Sequence, residues 1–200
     1  MSGPGLRQVR ASHDGRSLVV FQAYPPAIAD AALAAGTFVA PFDRHRMTWI
    51  KPSFRWMMYR SGWASEPGQE RVLAVRISRA GFEQALAQSC PSHWDRDLHA
   101  SAAEWRAALA AGPVRVQWDP ERSTRLGALP HRALQLGLSR GAVADYADRW
   151  ILGITDVTAL AHDARDLVRS GRPDLADALV PVEAPYPLPP ALAARIGATG

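Results

Sequence analysis

Residues 70–88, ERVLAVRISRAGFEQALAQ, decide the fold class. Glu70 to Ser78 carry Val72, Val75 and Ile77 and read as a strand, the clearest in the chain. Ala80 to Gln88 then read as a helix. Upstream, Leu18–Tyr24 (LVVFQAY) predicts a strand that Pro25-Pro26 stops, and Ala27–Ala35 a short helix with Gly36 at its C-terminal cap. Thr37–Val39 is a short extended piece. Arg46–Ile50 predicts a second strand, and Pro52 opens a helix over Ser53–Arg60 that Gly62 ends.

Downstream, residues 89–100 read as a polar loop. Ser101 with Glu104 three positions on forms a capping box for a helix ended by Gly112-Pro113. Val114–Trp118 alternates as a strand, which Asp119-Pro120 is expected to break into an Arg-rich loop reaching Leu129. His131–Leu138 is a further strand, and Ser139 is expected to cap a helix to about Trp150. A short extended piece at Ile151–Thr155 precedes helices over Asp156–Ser170 and Pro173–Val180. Parallel βαβ units would need a more regular alternation and longer crossover helices. The expectation is therefore one α+β domain over residues 1–180, with short helices flanking a mixed or mostly antiparallel sheet, split or continuous. Residues 181–200 are expected to form an extended, proline-rich tail.

Composition excludes several classes. Hydrophobic residues at 48% and charged residues at 21% are those of a globular chain, not of a disordered or collagen-like one. No apolar run reaches the ~20 residues that span a bilayer, so no membrane partner is expected. The start has no apolar signal core, and a lone cysteine, Cys90, cannot form an internal disulfide; both point to the cytoplasm. Of 23 basic residues only one is lysine, Lys51, a bias that with abundant Ala, Gly and Pro reads as a GC-rich bacterial genome. A net charge of +4 from dispersed arginines is too small for a nucleic-acid stripe.

The densest segment is residues 42–63, FDRHRMTWIKPSFRWMMYRSGW. Cations (Arg44, Arg46, Lys51, Arg55, Arg60) alternate with flat rings (Trp49, Trp56, Tyr59, Trp63), as a nucleotide or nucleic-acid site requires: bases stack and phosphates meet cations. Phe54, Met57 and Met58 read as core. Lys51-Pro52-Ser53 marks a strand-to-helix junction, where free N–H groups favour an anion. Cys90, His93 and His99 lack a fourth neighbour for a structural zinc site, so no metal is expected. Glu121 beside Asp119 is a candidate acid or base. G-x-S-x-G, Walker A and G-x-G-x-x-G patterns are all absent.

The runs RMTWIKPSFRWMMYRSGW, VFQAYPPAIADAALAAGTF, QERVLAVRISRAGFE, VRVQWDPER and ALQLGLS resemble the Domain of Unknown Function 4291 family over residues 7–165. More distantly, the order of polar strand, helix, Gly36-x-Phe38 and aromatic strand-to-helix junction is similar to the start of ADP-ribosyltransferase-like folds, which hold NAD in the cleft of a split mixed sheet. That resemblance implies NAD as cofactor. Gln22 or Tyr24 would meet the ribose or amide, and Thr48 or Trp49 would stand near the nicotinamide. Lys51, Arg55 or Arg46 would meet the pyrophosphate, with Ser53 at the adjoining helix start; Gln135 or Glu121 would fill the catalytic late-strand position. Gln22 departs from the His usual in one branch, and Gln135 from the usual catalytic Glu. Two functions follow: an ADP-ribosyltransferase-like enzyme acting on a nucleic acid or small acceptor, or a non-catalytic module for nucleic acid or nucleotide. Convergence of Arg46, Lys51 and Gln135 on one cleft would favour a small-molecule site. A spread along an open face would favour nucleic acid.

Overall fold

In a computed structural model describing residues 5–199, the elements follow the punctuation of the sequence. After β1 (Arg10–Ala11), β2 (Ser17–Tyr24) ends at Pro25, and α1 (Pro26–Ala35) stops at Gly36, whose φ of 71° only glycine adopts without strain. β3 (Thr48–Ile50) leads to α2 (Phe54–Ser61), where the Ser53 hydroxyl accepts the Trp56 N–H (3.1 Å). β4 (Arg71–Ser78) passes directly into α3 (Arg79–Ala87), capped by Ser78. β5 (Ser89–Pro91), α4 (Ala102–Ala111), β6 (Val114–Arg122) and β7 (Ala128–Leu138) follow. Then come α5 (Gly141–Asp145), a π-helical turn (Tyr146–Trp150) and β8 (Ile151–Asp156). The chain closes with α6 (Thr158–Arg169), α7 (Pro173–Leu179), β9 (Ala184–Pro185) and α8 (Pro190–Ile196). No helix among the described residues is long and apolar enough to cross a membrane.

The fold is a single α+β domain with antiparallel and mixed sheets. One sheet is ordered β2-β4-β8 and is antiparallel throughout; the other is ordered β3-β7-β6-β5, with β5 parallel to β6. They meet at one backbone pair, Phe21 N to Lys51 O (2.7 Å) and Lys51 N to Phe21 O (3.2 Å), and part beyond it. The main core gathers Val20, Val75, Phe82, Leu136, Tyr146 and Trp150. A second core places Phe54, Met57 and Met58 of α2, as predicted, against Phe21 and Val72. The Trp150 ring lies so close to Gly81 of α3 that a Cβ there would stand 2.3 Å from Trp150 Cγ.

Four expectations change. Asp119-Pro120 does not end its strand: β6 runs on to Arg122, because Pro120 sits at a register shift where the ladder needs no N–H from it. Residues 89–91 are not loop but a short parallel edge strand. Ser139 does not cap a helix; its hydroxyl donates to Pro113 O (2.8 Å), and α5 starts after Arg140. Nor is the segment after Pro181 simply extended. It forms β9 against β1, then α8, and buries Tyr186 and Ile196 in the main core. Apolar side chains among the prolines drive this docking.

Glu183, in that segment, accepts the Phe54 N–H at the start of α2 (2.7 Å). Burial pushes its carboxyl up to about 8, against the Phe54 hydrogen bond and with help from the Glu121 charge. The folded chain thus holds this proton to higher pH than the unfolded chain, whose carboxyl titrates near 4.5. Stability contributed by the protonated group is present below that pH and is lost as pH rises to about 8. Thermal melts of the wild type and Glu183→Gln between pH 5 and 8.5 test this. The wild type should lose a few degrees of Tm relative to the variant as pH rises.

Candidate functional site

Where the sheets part, side chains of β2 and β3 bridge the opening. The buried Tyr146 hydroxyl donates to Gln22 Oε1 (2.6 Å), which fixes the amide with its NH2 group toward the gap. Gln22 Nε2 then donates to both Tyr24 Oη (2.8 Å) and Thr48 Oγ1 (2.7 Å), and those two hydroxyls lie 2.7 Å apart. One of them donates to the other. The remaining hydroxyl hydrogen has no acceptor within the trio, so a ligand oxygen or nitrogen there would complete the network. Burial pushes the Tyr24 hydroxyl up to about 12, so it stays protonated at physiological pH.

Beyond this trio lies a cleft of about 680 Å3. Arg46, Lys51 and Arg60 supply three cations against one carboxylate, Asp119, and neither Arg46 nor Arg60 forms an ion pair among the described residues. Lys51 is 7% exposed, and its Nζ has one long hydrogen bond, to Trp49 O (3.4 Å). Burial, reinforced by Arg60 and opposed by Asp119, brings its amine down to about 8. Asp119 is clamped: Gln135 Nε2 donates to one oxygen (2.6 Å) and Gln117 Nε2 to the other (2.9 Å). Gln117 and Gln135 are cross-strand partners on β6 and β7, which is what lets both amides reach one carboxylate.

Flat surfaces complete the cleft. The Trp49 ring edge would lie 3.0 Å from a Cβ at Gly137, so only a glycine lets it lie flat on β7. Tyr59 and Trp56 stack with centroids 5.1 Å apart, and Arg122 covers Tyr59 at 3.7 Å. Tyr59 is 39% exposed, enough to offer part of its ring to a ligand.

Of the residues singled out from sequence, Gln22, Tyr24, Arg46, Thr48, Trp49, Lys51 and Gln135 all line this cleft. Glu121, Ser53 and Arg55 do not. Glu121 accepts hydrogen bonds from the Ser53 hydroxyl (2.9 Å) and Arg122 N–H (2.8 Å), beside the start of α2. Arg55 pairs with Asp177 (3.0 Å), and with Glu121 lines a different cavity. The carboxylate in the cleft is Asp119, which the sequence reading passed over in favour of Glu121. Gln117 was missed as well; the signal for it was strand alternation, which sets residues 115, 117 and 119 on one face of β6. At the Cys90 loop, Cys90 Sγ lies 3.9 Å from His99 Nε2, and no metal-binding cluster of three or more His, Cys, Asp or Glu side chains occurs among the described residues.

The sequence model of a family described as a domain of unknown function, DUF4291, matches residues 8–186. The chain belongs to this family. Among curated proteins no relative matches it. The DUF4291 match takes in every residue of the cleft, together with Glu183 and Tyr186 of the docked C-terminal segment, and ends before α8.

Proposed function

We propose that this DUF4291 cleft binds a nucleotide, and that the chain is an ADP-ribosyltransferase-like enzyme using NAD, with a nucleic acid or small molecule as acceptor. The observation that carries the reading is the convergence of Arg46, Lys51 and Gln135 on one cleft, between sheets that part as a split sheet does. When bound, NAD would supply a ribose–nicotinamide bond whose cleavage builds positive charge on the ribose. Arg46, Arg60 and Lys51 attract the diphosphate. Trp49, seated on Gly137, offers a face for a ring to stack on. The spare hydroxyl hydrogen of the Tyr24–Thr48 pair meets an acceptor on the ligand. Asp119, held by two amides, keeps a fixed negative charge toward the cleft, where developing positive charge is stabilised without reorganisation.

The alternative, a non-catalytic nucleotide or nucleic-acid module, uses the same surface without Asp119. Exposed Tyr59 beside exposed Arg60 favours it, as a ring and a cation for a single-stranded end. Thermal-shift titrations with NAD, ADP-ribose, ATP and a short RNA, at low and moderate salt, separate the two. A ligand that binds only the folded chain raises stability as RT ln(1 + [L]/Kd). A shift with NAD or ADP-ribose that survives salt is expected. A shift with RNA alone, abolished by salt, leaves the binding module.

A further inference from the structure

Of the 23 Lys and Arg residues 22 are arginine, and the exception, Lys51, lies buried in the cleft wall. Arginine would serve an anion at least as well, since its guanidinium is always charged and grips phosphate with two hydrogen bonds. What lysine alone offers is an amine that can give up its proton and attack carbon. Lys51 is arranged for that. Its Nζ forms no ion pair among the described residues, and its one hydrogen bond, at 3.4 Å, leaves it weakly held. Arg60 stands near enough to disfavour its charge, and burial acts in the same direction. With the amine brought down to about 8, roughly a tenth of it is neutral at pH 7, about 300-fold more than for a lysine titrating at 10.5.

We propose that Lys51 forms an imine with the aldehyde of a phosphorylated sugar bound in the cleft. The Nζ lone pair forms a bond to the carbonyl carbon while the carbonyl π pair moves to oxygen. The two amine hydrogens leave with that oxygen as one water, and the C=N bond remains; water reverses the step. No oxidant or reductant takes part. The sugar phosphate is specified by its surroundings: Arg46 and Arg60, outside any ion pair among the described residues, suit the phosphate, and the spare Tyr24–Thr48 hydroxyl hydrogen with the Gln69 amide suits sugar hydroxyls. This goes beyond nucleotide binding, because it requires a free aldehyde and not an intact dinucleotide.

The test uses the full chain, ribose 5-phosphate and sodium cyanoborohydride, which reduces an imine to a stable amine. Intact mass and peptide mapping locate the adduct, and having a single lysine makes the assignment direct. One adduct on Lys51 is expected, its yield falling about 10-fold or more from pH 8 to pH 6 as the amine protonates. Unphosphorylated ribose should label far less. Lys51→Arg keeps the charge and fold, checked by circular dichroism, and should lose the adduct. An adduct confined to the terminal amine, equal labelling by ribose, or no adduct at all overturns the proposal. A Tm shift with NAD and no adduct overturns the imine alone; an adduct without any NAD shift counts against the dinucleotide reading alone.

Discussion

Gly81→Ala lowers the melting temperature by about 4–8 °C, the largest effect expected of a single added methyl group in this chain. Two forces compete at this position. Alanine inside a helix is favoured over glycine by about 1 kcal/mol, so α3 taken alone would gain. Against that, the new Cβ would lie 2.3 Å from Trp150 Cγ and 2.5 Å from its Cδ1. Those are atoms of a rigid ring that is 3% exposed and packed by Tyr146, not the movable end of a flexible side chain. Overpacking of a dense core typically costs about 1–3 kcal/mol and sometimes more, and the short contact puts this case at the upper end. The clash therefore outweighs the helix propensity. A thermal melt with tryptophan emission as a second probe checks it. A melting temperature that rises would mean that Trp150 does not rest on Gly81.

On the NAD-dependent reading proposed above, Asp119→Asn is expected to cut turnover with NAD by about 100- to 1000-fold, while the melting temperature moves by only a few degrees. The carboxylate accepts from two amide NH2 groups, one on each oxygen. An asparagine keeps the shape but turns one acceptor into a donor, so Gln117 or Gln135 must rotate to present its oxygen. That rotation is possible for a terminal amide, which keeps the cost to stability low. The lost negative charge has no replacement, since Asp119 is the one carboxylate lining the cleft among the described residues. Nucleotide affinity measured by thermal shift should hold or rise, because Arg46, Lys51 and Arg60 lose their only opposing charge. A variant with full turnover would remove Asp119 from the chemistry. A variant that fails to bind would recast it as a scaffold for the strand pair.

The course of the backbone was readable wherever a residue's own chemistry sets it. Pro25-Pro26, Gly36, Ser53 with Gly62, and Ser101 with Glu104 begin or end elements close to where they were expected. Reading failed where distant parts of the chain decide. Pro120 is tolerated in β6 because of how β7 pairs with it, and Ser89–Pro91 become a strand only because Val114–Val116 lie alongside. The site divided along the same line. Residues 46–51 could be gathered because strand, cations and rings follow one another in sequence. The choice between Asp119 and Glu121 could not be made. Bare alternation would put both on the same strand face; the register shift between Pro120 and Arg122 breaks that alternation, and Glu121 meets Ser53 at the start of α2 instead of the cleft. The Gln22 amide takes its orientation from Tyr146, 124 positions away, and no local pattern carries that information.

The dependence of α2 on Glu183 also bears on how the molecule comes to exist. Phe54 and Glu183 are separated by 129 residues, roughly 6–26 s of synthesis at about 5–20 residues per second. Through that interval the helix carrying Trp56, Tyr59 and Arg60 has its Ser53 cap but no acceptor from Glu183 for the Phe54 N–H, and β1 lacks β9. The cleft is thus among the last parts to be completed on a growing chain. An unfinished product released from the ribosome before residue 183 would carry most of the fold but a poorly anchored binding surface.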